Sequence, residues 1–135
     1  MRKILFCATV LFAINTLADG PWKFKMRTEK SKINININLY EETVEVPGMD
    51  MFGPMNGYIN GDIYGVWTIT SSEIINDKQA KLRLSNDLGS ETQEALLTLQ
   101  GDSICKMELK GGVVVKRVVG KKLVKIDSVQ EFKKQ

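Results

Sequence analysis

Met49, Met51 and Met55 fall close together in the stretch Pro47-Gly48-Met49-Asp50-Met51-Phe52-Gly53-Pro54-Met55-Asn56-Gly57. Its prolines and glycines mark an irregular loop. Loops usually carry polar tips, so methionine and phenylalanine at one need a reason. Three reasons are chemically distinct. The loop could fold over the open end of a barrel as a lid. It could offer an adaptable hydrophobic contact to a ligand or partner, since unbranched methionine repacks against varied shapes. Or the three thioethers of Met49, Met51 and Met55 could hold Cu(I), an ion that soft sulfur ligands select. The contact reading takes Met49, Met51, Phe52 and Met55, with Tyr58 and Tyr64, as the binding set.

A second set of polar residues is Lys23, Lys25 and Arg27 beside Asn34, Asn36, Asn38 and Tyr40. Cations, amides and a phenol together suit a sugar or a phosphate group, although such residues also make the wet side of a half-buried sheet. Catalytic material is poor. The chain has no histidine, which removes the commonest general base and metal ligand. Cys105 alternates with Met107 and Leu109 and reads as a small buried hydrophobe. Glu41, Glu42, Asp50 and Asp62 have no fixed separation, which glycoside chemistry demands. Calcium-loop and phosphate-cradling glycine motifs are absent. The expectation is a protein that is not an enzyme and carries no cofactor.

The first eighteen residues, MRKILFCATVLFAINTLA, follow Arg2 and Lys3 with an apolar run and place Thr16 and Ala18 at the small positions of a cleavage site. That is the pattern of a secretory signal peptide cleaved after Ala18, too short to span a bilayer. Residues 19–135 are then one secreted or periplasmic domain, with no transmembrane segment expected. Without the leader, 17 basic residues face 16 acidic ones, and Cys105 is the sole thiol. Near-neutral charge gives no case for nucleic acid, and one thiol makes no internal disulfide, so the core alone must hold the fold. Residues 33–75 hold six acids and no base, while both flanks are net basic. Pairing between acidic and basic strands is the expected use of that asymmetry.

The elements that must position these residues follow a period of two. Trp22, Phe24 and Met26 alternate with cations, and Ile33, Ile35, Ile37 and Leu39 alternate with asparagines and Tyr40. The isoleucines would be smeared around a helix, so the two runs predict an antiparallel hairpin. Val44 and Val46 continue the alternation until Pro47. From Tyr58 to Thr70 the residues Ile59, Gly61, Ile63, Gly65, Trp67 and Ile69 share one parity. One bent strand is the favoured reading, its glycines allowing close approach of a neighbour, with a tight Asn60–Gly61 turn as the alternative. Ala80, Leu82 and Leu84 alternate next. Leu97 and Leu99 lead through Gly101 to Cys105, Met107 and Leu109, and Val113 to Val119 with Val124 and Ile126 end the pattern. Ser90 with Gln93 resembles a capping box, leaving a short helix over 91–100 as an alternative there.

Gly65-Val66-Trp67 resembles the G-x-W of lipocalins, although that family carries it near the start of its first barrel strand and here other strands precede it. The resemblance implies a calycin-like barrel. The expected fold is all-β: a small antiparallel barrel or a β-sandwich of seven to nine strands with at most one short helix. The expected function is binding, as a monomer, of an apolar small molecule or a protein partner at the barrel mouth and the Met-rich loop. The alternatives are a Cu(I) carrier and an inhibitor or immunity-type protein.

Overall fold

Lys23–Arg27 (β1) and Ile33–Asn38 (β2) form the expected hairpin, in register from Lys23 opposite Asn38 to Arg27 opposite Asn34. The computed structural model describes residues 20–87 and 91–134. The leader, its cleavage site and Ser90 lie outside the described residues. Six more strands continue the sheet: Gly57–Gly61 (β3), Trp67–Ile74 (β4), Gln79–Asn86 (β5), Thr92–Gln100 (β6), Ile104–Lys110 (β7) and, after a separate ribbon of Lys116–Val119 (β8) and Lys122–Lys125 (β9), Val129–Lys134 (β10). Strands β1 to β7 each pair with their neighbour in sequence, and β10 bonds to both β7 and β1. The result is a closed eight-stranded antiparallel barrel with no free edge on its wall. The ribbon stands outside it.

Alternation decides what goes inside. Ile33, Ile35 and Ile37 on β2, Ala80, Leu82 and Leu84 on β5, and Cys105, Met107 and Leu109 on β7 are all buried in one continuous apolar cluster with Trp22, Trp67 and Phe132. Each of the isoleucines and leucines, and Met107 and Phe132, contributes about 1.5–3 kcal/mol when fully withdrawn from water. No disulfide is needed to hold a core of this extent.

Four expectations need correction. The Tyr58–Thr70 run is not one strand: β3 stops at Gly61 and β4 begins at Trp67. Gly61 (φ 111°) and Gly65 (φ 83°) adopt positive φ, which a regular strand does not allow. Nor is there a two-residue turn at Asn60–Gly61, since Tyr58 pairs with Thr68 and Ile59 with Trp67. Residues 92–100 are strand throughout, and Asp50–Phe52 forms only a single 3-10 turn. Finally, the basic strand β1 lies between the uncharged β2 and the basic end of β10, with Arg27 opposite Lys133. Opposite charge does meet elsewhere, where Glu73 lies opposite Lys81 and Arg117 pairs with Asp62 at 3.2 Å.

The register gives the barrel two unlike ends. One carries the long Leu39–Asn56 excursion, the β4–β5 turn and the β6–β7 turn. The other carries the β1–β2 turn, the β3–β4 connection and the ribbon.

Candidate functional site

Both ends of the barrel carry a plug of hydrogen-bonded side chains among the described residues. At the excursion end Trp22 is fully buried; its backbone N–H donates to the Tyr40 hydroxyl (3.0 Å), its carbonyl accepts from Leu39 N (2.9 Å) and its indole N–H donates to Asn76 O (2.9 Å). At the ribbon end the plug is polar. Thr28 Oγ1 and Ser31 Oγ share a hydrogen bond of 2.7 Å, Ser31 Oγ donates to Gln130 Oε1 (3.1 Å), and Gln130 Nε2 donates to Asp127 O (3.0 Å). Buried polar groups that satisfy one another in this way form a stable lid rather than an apolar entrance. The recess outside that lid, about 590 Å³, is edged by charged residues including Lys30, Asp62, Arg117 and Glu131.

The excursion therefore matters for what it offers outward. Its stem is bonded twice, once to the barrel and once across itself. Asn38, buried at the end of β2, donates through Nδ2 to Thr43 Oγ1 (2.9 Å) and accepts at Oδ1 from Tyr40 N and Glu41 N. Val44 and Met55 then exchange both backbone hydrogen bonds, at 2.9 and 2.8 Å. Val44 and Val46 are buried beneath, which anchors the returning chain. At the tip, Asp50–Phe52 makes its 3-10 turn and Met51 is 92% exposed, whereas Met49 and Met55 are half-buried.

Beside this stem lies a groove of about 620 Å³ on the outside of β1, β2 and β3, walled by Thr43, Val44 and Glu45. Lys25, Asn36 and Tyr58 are direct cross-strand neighbours along its floor. Of the polar face expected from sequence, Asn38 and Asn34 are occupied structurally, Asn34 Nδ2 donating to Asn60 Oδ1 at 3.3 Å. Tyr40 is used to hold Trp22. Lys23, Lys25 and Asn36 border the groove. Tyr58 joins them, so one predicted tyrosine falls at this site. Tyr64 does not: it stands 42% exposed in the β3–β4 connection at the opposite end, its N–H donating to Lys116 O at 2.7 Å.

The buried thiol of Cys105 is pushed up to about 12 by loss of solvation, only partly offset by a hydrogen bond from the Thr98 backbone, so at neutral pH it is protonated and a poor nucleophile. Among the described residues no cluster of three carboxylate or thiol ligands could hold a metal ion, and no helix is long and apolar enough to cross a membrane.

Sequence reading missed the strand β10 and the separateness of the ribbon. In β10 the inward positions are Gln130 and Phe132, so polar glutamine hides the alternation. The ribbon's signal was present as a run of cations without acids between Glu108 and Asp127. No protein-family model matches the chain, and neither a curated protein nor a solved structure matches it significantly. Its class is therefore defined by its own geometry: an eight-stranded up-and-down barrel whose inward side chains form one apolar cluster, with two outward appendages.

Proposed function

We propose that this chain is an exported, monomeric, non-enzymatic binding protein whose partner is another protein, held on the outer surface at the excursion end. The observation that carries this reading is the continuous apolar cluster packed inside the barrel, set against Met51 standing exposed at the tip of a hydrogen-bonded stem. A barrel built to take an apolar molecule leaves its interior open. Here inward side chains occupy that space, and adaptable apolar surface is offered outside instead. Met49, Met51 and Met55 supply the apolar contact, while Lys25, Asn36 and Tyr58 give the adjoining groove polar partners for a bound chain. The contrast between exposed Met51 and half-buried Met49 and Met55 lends no support to a three-sulfur Cu(I) site.

The test places a photo-crosslinking residue at position 51 and, as a control, at the outward Lys106, in cells that export the protein. A discrete protein adduct at 51, lost on Tyr58→Ala and absent at 106, is the expected result. Absence of any adduct, or stoichiometric uptake of a fatty acid by the purified protein, would overturn the reading. Intact mass beginning at Asp19 in the exported fraction checks the leader assignment in the same preparation.

A further inference from the structure

Residues 111–126, GGVVVKRVVGKKLVKI, contain five cations and no acid. Within them β8 and β9 pair only with each other, with Lys116 opposite Lys125, Arg117 opposite Val124, Val118 opposite Leu123 and Val119 opposite Lys122. Directly opposed residues share a face and successive residues alternate. One face therefore carries Lys116, Val118, Leu123 and Lys125, and the other carries Arg117, Val119, Lys122 and Val124. Each face has two aliphatic and two cationic side chains. All four aliphatics are between 44% and 51% exposed.

The base of the ribbon is fixed. Tyr64 N donates to Lys116 O, Ile126 N donates to Val115 O at 3.1 Å, and Arg117 pairs with Asp62. The ribbon is thus held at a set place on the barrel end, with the exposed phenol-bearing Tyr64 at its root. A flat protein surface would cover one face and leave the other aliphatic pair wet. Arg117 and Val124 of one face border the recess at the barrel end, yet Val124 is still 44% exposed, and what reaches the aliphatics of both faces is a medium that surrounds the ribbon. The boundary between lipid headgroups and acyl chains is such a medium: aliphatic side chains submerge, lysine stems reach back to anionic headgroups, and tyrosine favours the interface itself. With Arg117 engaged by Asp62, Lys116, Lys121, Lys122 and Lys125 remain to meet those headgroups.

The geometry points to the β8–β9 ribbon as a docking device for an anionic lipid surface, its tip from Val118 to Leu123 entering the interface. The opposite end of the barrel, with Met51, then faces away from the lipid. This inference stands apart from the protein-partner reading, because the two surfaces lie at different ends and are tested separately.

The test is co-sedimentation of the exported protein with vesicles of equal parts phosphatidylcholine and phosphatidylglycerol, and with vesicles of phosphatidylcholine alone. Loss of the leader is first verified by mass, because a retained leader would itself bind lipid. Binding to the mixed vesicles, weak binding to the neutral ones and weakening by added salt are expected. Lys121→Gln with Lys122→Gln should lower affinity roughly 25-fold, about fivefold per lysine. Val118→Ser with Leu123→Ser should lower it roughly tenfold or more, with the melting midpoint unchanged because these side chains lie outside the core. If one double variant loses its β spectrum, the other carries the test. No vesicle binding overturns the proposal. So does binding that survives the serine variant and is matched by polyglutamate, which makes the ribbon a reader of acidic polymers. Lipid-free dimerisation abolished by the serine variant would assign the surface to a second copy of the chain, and equally overturns it.

Discussion

The indole N–H of Trp22 donates to the carbonyl of Asn76 at 2.9 Å, tying the residue before β1 to the β4–β5 turn 54 positions later. The indole N–H of Trp67, equally buried, has no partner among the described residues. Two like side chains in one core thus differ in a single bond. Truncating either to alanine should cost about 3–5 kcal/mol. Replacement by phenylalanine should separate them. Trp22→Phe forfeits a hydrogen bond worth about 1 kcal/mol, while Trp67→Phe removes a buried unsatisfied donor and recovers part of its desolvation. Urea unfolding should find Trp67→Phe the more stable variant; the reverse order would mean that Trp67 has a partner after all.

Gly65 should resist substitution. Its φ is +83°, and a Cβ there would lie 2.5 Å from Asn86 Oδ1 and 2.8 Å from Asp87 Oδ1. Asp87 Oδ1 accepts from Val66 N at 2.8 Å, and Asp87 N donates to Val66 O. Gly65→Ala should therefore strain the backbone and displace the contact that fixes the β3–β4 connection. A loss of about 1–3 kcal/mol is expected, read as a lowered urea midpoint with unchanged slope.

Gln93 joins the barrel to the root of the ribbon. Its Nε2 donates toward Glu94 O (2.9 Å), Lys110 O (3.0 Å) and Gly112 O (3.0 Å), and its Oε1 accepts from Val114 N at 2.7 Å. Gln93→Leu keeps the volume and strands the Val114 N–H, at a cost of about 1–3 kcal/mol. Hydrogen exchange should accelerate at Val114 and along β8 before it does in β5. Uniform acceleration across the barrel would show that Gln93 serves the core rather than the ribbon.

Cys105 makes stability depend on alkaline pH in a defined direction. Burial raises its folded value to about 12 from 9.0, so the folded state holds the proton more tightly than the unfolded chain. The stability this gives is fully present below pH 9 and is lost as pH rises toward 12. The wild-type melting midpoint should fall across that window by more than that of Cys105→Ala, the difference isolating the thiol from every other group. A thiol reagent should label Cys105 slowly at neutral pH and promptly in urea; prompt labelling of the native protein would contradict its burial.

The faces of the strands were legible in the sequence because alternation is local. Ile33, Ile35 and Ile37 can only share a side, and the cations of β1 can only take the other. The same locality explains the misreadings. Parity carries from Ile59 to Ile69 through Gly61 and Gly65 even though the backbone turns there, because period two records side and not direction. Gln93 and Gln130 broke the apolar pattern, and in the structure they face inward and hold backbone groups that the barrel cannot pair.

What the sequence alone determined is thus an all-β chain with named inward residues and a Met-rich excursion. Tertiary structure decided the rest. That the wall closes through β10, with Met26 opposite Lys134, depends on pairing between segments about a hundred residues apart, and alternation carries no information about which strand lies alongside. That the inward side chains form one apolar cluster depends on eight strands closing around one axis. And the segment from Lys116 to Lys125, patterned like the strands around it, stays outside because β10, not β8, completes the closed ring of hydrogen bonds.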